Sequence, residues 1–93
     1  MDRKTYCHIR AMACLISFDA DGPREAQTLL HQLTRANIAT LDSNPHGASV
    51  TMLGIRGEFA VGERAMLRAW RDAANVEIYH CELVGFDDAE EAA

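Results

Sequence analysis

The sequence predicts a small α+β domain in the order strand, helix, strand, strand, helix, strand. Three observations carry this. Ala26, Leu29, Leu30 and Leu33 recur at helical spacing behind a proline-marked start. The turn-forming run Ser43-Asn44-Pro45-His46-Gly47 separates two short strand-like segments. Residues 8–18 and 76–86 each read as strands near the two ends of the chain.

The elements follow in order. Residues 8–18, His-Ile-Arg-Ala-Met-Ala-Cys-Leu-Ile-Ser-Phe, have an apolar centre on both faces, which suits an interior strand; Ala and Met also allow a helix, and the Cys-Leu-Ile-Ser-Phe end and the break after it favour the strand. The break Asp19-Ala20-Asp21-Gly22-Pro23 follows, with Asp21 expected as the N-cap and Pro23 in the first turn of a helix reaching about residue 37. Residues 38–42 form a short strand. Residues 48–56 form the second strand of a hairpin, with Val50 and Met52 on one face and Thr51, Leu53 and Ile55 on the other. A second helix covers residues 63–74, with Met66, Leu67, Trp70, Ala73 and Ala74 on its buried side. The last strand, 76–86, alternates Tyr79, Cys81 and Leu83 with Ile78, His80, Glu82 and Val84.

This order is the ferredoxin-like βαββαβ pattern: two helices on one face of a four-stranded antiparallel sheet. Right-handed crossovers place the first and third strands side by side and leave the other sheet face open. Residues 1–86 make one domain, and 87–93, Asp-Asp-Ala-Glu-Glu-Ala-Ala, make an acidic solvated tail.

The chain has 93 residues, 48% hydrophobic and 25% charged, with a net charge of −5. That composition supports a folded core and argues against disorder. The acidic balance repels phosphate backbones and disfavours direct nucleic-acid binding. No run is long enough for a membrane helix and no signal-peptide pattern opens the chain, so a cytoplasmic, membrane-free protein is expected.

Cys7, Cys14 and Cys81 are odd in number and form no Cys-x-x-Cys pair, which excludes a disulfide framework and a zinc knuckle. Neighbouring strand residues point to opposite faces, so Cys7 and His8 do not converge, and no metal or cofactor is expected. His46, in the hairpin turn, is expected to be exposed. No nucleophile elbow, phosphate loop, dinucleotide fingerprint or His-Glu-x-x-His motif is present, so the chain is not expected to be an enzyme.

Two charged sets are candidate partner-binding residues. Arg64, Arg68 and Arg71 fall at i, i+4, i+7 on the second helix, a basic stripe on an acidic protein. Asp72 stands four residues after Arg68 and is placed to neutralise part of it. Glu77, Glu82, Asp87, Asp88, Glu90 and Glu91 are read as one negative edge able to imitate a phosphate track.

Two families are similar in part. Asp21-Gly22-Pro23 and Ala36-Asn37-Ile38 resemble the turn and the helix exit of ACT regulatory domains. That resemblance implies an amino-acid ligand held by Asp21, Gly22, Asn37 and Ile38. In length and element order the chain is also similar to the small ferredoxin-like chaperones of the nitrate-reductase signal peptide. Ala13-Cys14-Leu15-Ile16-Ser17 stands where those have their apolar first strand.

The leading expectation is therefore a non-catalytic protein-binding module: an adaptor, a chaperone or a small acidic inhibitor. The inhibitor form would block a basic nucleic-acid site of another protein, as some phage-encoded anti-defence proteins do. Contact would run through a sheet edge, the open sheet face or the acidic edge, and a homodimer would use the same face or edge. The alternative is an ACT-like ligand sensor.

Overall fold

The computed structural model describes residues 1–86 and has the order helix, helix, three strands, helix. The α+β class is as expected. The two terminal strands are not: both segments are helical, and the sheet has three strands, not four. The βαββαβ order and its adjacent first and third strands are therefore not what the described residues form.

Helix α1 spans Arg3–Asp19. Asp2 caps it by accepting the Thr5 N–H at 2.7 Å. Its buried residues are Tyr6, Ile9, Ala13 and Ile16. Their spacing of three and four is that of one helix face, and it overrides the strand-like ending Cys-Leu-Ile-Ser-Phe.

Helix α2 spans Pro23–Arg35 with Pro23 in its first turn. Gly22, not Asp21, occupies the N-cap and no side chain caps the helix, so the capping role expected of Asp21 is corrected. Ala26, Leu29, Leu30 and Leu33 are buried, as the stripe requires. The helix ends where Asn37 adopts φ 60°, which returns the N–H groups of Ile38 and Ala39 to the Leu33 carbonyl at 2.9 and 3.1 Å.

Strands β1, Thr40–Asn44, and β2, Gly47–Met52, form the hairpin, with Asn44 opposite Gly47. The Asn44 side chain accepts the His46 N–H at 2.7 Å, and His46 is exposed. The single strand expected over 48–56 is broken at Leu53 and Gly54, whose φ values are 52° and 78°. Two consecutive positive values make a tight hairpin turn, and β3, Ile55–Arg56, returns beside β2. Leu-Gly lacks the usual Asn-Gly signal, so propensity alone does not find this turn.

Helix α3, Glu63–Val84, is 22 residues long, about 33 Å. It joins the expected second helix to the expected last strand. Met66, Leu67, Trp70, Ala74, Ile78 and Cys81 are buried along one continuous face. That continuity carries the helix through Asn75 and through the β-formers Val76, Ile78 and Tyr79, because propensity is weak beside burial.

Trp70 ties helix to sheet. It is fully buried, and its indole N–H is shared between the carbonyls of Met52 and Ile55 at 3.2 and 3.0 Å. Those two residues flank the tight turn. Gly57 passes so close to α3 that an added Cβ would lie 2.7 Å from the Trp70 amide nitrogen.

Helices α1 and α3 run antiparallel. Tyr6 near the start of α1 meets Phe86 just beyond α3, ring centroids 5.1 Å apart and edge to face. Arg3 stacks over the same Phe86 ring at 4.5 Å.

Candidate functional site

The basic stripe lies along one flank of α3. Arg64, Arg68 and Arg71 all border the buried face on the same side, as their spacing requires. Arg68 approaches Asp21 at 3.8 Å, and its side chain is 39% exposed. Asp72 pairs with its neighbour Arg71 at 3.3 Å, not with Arg68 as expected. Among the described residues the Arg64 Nε is buried without a hydrogen-bond partner.

The acidic set does not form one edge among the described residues. Glu77 and Glu82 are both exposed on α3, but five helical positions separate them by about 140° around the axis. Glu77 lies beside Ala73 and the β2–β3 turn, while Glu82 lies beside Arg10 and Asn75 in the α1–α3 groove. The Arg10 guanidinium donates to the Tyr6 hydroxyl at 3.0 Å, which raises its already high pKa, with Glu82 adding to the shift. Asp87, Asp88, Glu90 and Glu91 lie outside the described residues.

The four residues of the ACT-like reading are split. Asp21 and Gly22 precede α2, and Asn37 and Ile38 follow it, so about 20 Å of helix separates the pairs. The cysteines are also apart. Cys7 and Cys14 are exposed on the outer face of α1, whereas Cys81 is buried on α3 with its thiol 3.8 Å from the Gly85 carbonyl. Among the described residues no group of three His, Cys, Asp or Glu is placed to hold a metal. No described helix is long and apolar enough to cross a membrane.

One feature escaped the sequence reading. The outward face of α3, opposite its buried residues, carries Ala65, Ala69, Asp72, Val76, Tyr79 and Leu83. Their spacing is four, three, four, three, four, the repeat that keeps residues on one seam of a helix. Val76, Tyr79 and Leu83 are 67%, 66% and 69% exposed. Three large apolar side chains in line, uncovered by the described residues, are a stronger interaction signal than scattered exposed residues. The signal was present in the sequence, but ending the helix at residue 74 cut the repeat in half.

Comparison with family models, with curated proteins and with solved structures found no match.

Proposed function

We propose that this chain is a non-catalytic protein-binding module whose contact surface is the outward face of α3. The observation that carries this reading is the aligned exposure of Val76, Tyr79 and Leu83 on a helix already anchored by its opposite face. An apolar stripe on a rigid helix is the form in which one protein offers a helix to another. Burying such side chains is favourable by about 25 cal/mol for each Å² removed from water.

The narrower reading as an acidic inhibitor of a basic groove would draw on Glu77, Glu82 and the acidic residues beyond 86. The separation of Glu77 from Glu82 favours the apolar face over it. The ACT-like alternative would need Asp21 and Gly22 to act with Asn37 and Ile38 across the length of α2, which makes it the weaker of the two functional readings.

The test is affinity capture with the wild-type chain and with Tyr79→Glu, each at low and high salt. Protein association, with itself or another chain, that survives high salt and is lost in the variant supports the apolar face. Association released by salt and indifferent to Tyr79→Glu would transfer the function to the acidic residues.

A further inference from the structure

We propose that the partner of the α3 stripe is a second copy of this chain, bound with the two α3 helices antiparallel about a twofold axis near Ala74. This rests on the reading of α3 as a contact surface and names its occupant. The stripe is complementary to itself in one direction only.

Consider first the seam. Reversing the series 65, 69, 72, 76, 79, 83 about residue 74 maps it onto itself. Leu83 then meets the second copy's Ala65, Tyr79 meets its Ala69, and Val76 meets its Asp72. Leu83 and Tyr79 thus each face an alanine, which lets the helices approach at both ends of the seam, while Val76 faces Asp72 at its centre. Ala65 also lies in a shallow hollow of roughly 320 Å³ with Pro23 and Val61 on its walls, which widens the seat for Leu83. A parallel pairing gives the opposite result. It sets Asp72 against Asp72, Tyr79 against Tyr79, and Ala65 and Ala69 against their own copies. Asp72 thus costs some stability in the antiparallel seam but selects its direction, as single polar seam positions do.

The flanks agree. Arg68, Asn75 and Glu82 each immediately precede a seam residue and line one side of it. In an antiparallel pair this side meets itself in reverse order. Arg68 then faces the second copy's Glu82, Glu82 faces its Arg68, and Asn75 faces Asn75. Two ion pairs form by symmetry. Among the described residues Arg68 has the 3.8 Å approach to Asp21, whose side chain is 85% exposed, so the guanidinium can turn to a better partner. A parallel in-register pair offers Arg68 no carboxylate. Arg68 of the arginine stripe and Glu82 of the candidate acids thereby become two halves of one contact.

The area is adequate for a specific but modest dimer. The three large side chains expose on the order of 100 Å² each, from their size and exposure. With the alanines, Asp72, the flanking pair and Val61, each copy contributes roughly 600 Å². The total, near 1,200 Å², is the lower bound of ordinary specific interfaces. Closed twofold pairing is also the commonest arrangement of soluble oligomers.

Sedimentation equilibrium over about 1 to 500 µM tests this, a range that brackets a micromolar dimer. The wild type is expected to dimerise. Tyr79→Glu should weaken association by about 30-fold or more. Arg68→Glu and Glu82→Arg should each weaken it by roughly 10-fold, because each sets like charges together twice. Arg68→Glu combined with Glu82→Arg should return to within about 3-fold of wild type, since both pairs re-form in reverse. Helical circular dichroism confirms that each variant is folded. A monomer throughout this range overturns the self-pairing. The contact-surface reading survives that result if capture of another protein still depends on Tyr79. A dimer indifferent to Tyr79→Glu, or a double variant no better than the single reversals, also overturns the proposed pairing.

Discussion

Replacing Trp70 by Phe isolates the contact that joins α3 to the sheet. The ring stays apolar and buried, but the indole N–H shared by the Met52 and Ile55 carbonyls is lost. Leaving buried acceptors without their donor costs about 1–3 kcal/mol. The smaller ring leaves a void in a fully buried site, which adds roughly 1 kcal/mol. The sum is about 2–4 kcal/mol. A 93-residue domain has about 5–14 kcal/mol in total, so the loss is a large part of the whole. Trp70 is the chain's one tryptophan, so urea unfolding must be followed by circular dichroism, not by fluorescence. The midpoint should fall with the slope unchanged. A loss below about 0.5 kcal/mol would refute the reasoning, because it would mean that water or a shift of the turn replaces the indole N–H at no cost.

Other expectations follow from neighbouring features. Gly57→Ala forces a Cβ to within 2.7 Å of the Trp70 backbone, so calorimetry should show destabilisation of about 1–3 kcal/mol. Leu53→Asn should stabilise the chain by about 1 kcal/mol in denaturant titration, because Leu53 holds φ 52° in a turn that favours Asn. Asp2 carries a pKa below its ordinary 3.8, chiefly through its hydrogen bonds with Thr5. A lowered folded-state value means that this stabilisation is present above the unfolded value and fades as pH falls through the folded one. Asp2→Asn should therefore flatten the acid limb of the thermal stability profile below about pH 4, and an unchanged limb would remove Asp2 from the account.

Helix α2 was legible because its stripe, its proline and its exit all agreed. The first hairpin was legible because Asn-Pro-His-Gly is turn chemistry with few alternatives. The two ends of the chain were not. Residues 8–18 and 76–86 contain enough Ile, Val, Tyr and Cys to pass as strands. What decides them is that Tyr6, Ile9, Ala13 and Ile16 make one buried face of α1, Ala74, Ile78 and Cys81 continue the buried face of α3, and the two helices pack together. That information lies some 70 positions apart in the chain and is invisible to any local window. The same error hid the candidate site. With α3 ended at residue 74, Glu77 and Glu82 seemed to share an edge, and the seam from Ala65 to Leu83 was divided between two elements.

The antiparallel contact between α1 and α3 has a consequence for how the chain is made. A nascent polypeptide emerges amino-terminus first, so α1 leaves the ribosome before α3. Most of the surface that covers its apolar face belongs to α3. Until α3 is released, Ile9 and Ile16 have little long-range cover, because α2 and the hairpin meet α1 over far less surface than α3 does. Folding must then close nearly the whole chain into a loop, which makes this step slow relative to the local hairpins and turns. Helix α1 is thus made before α3 but fully buried only once α3 arrives, and its apolar face is adhesive in the interval.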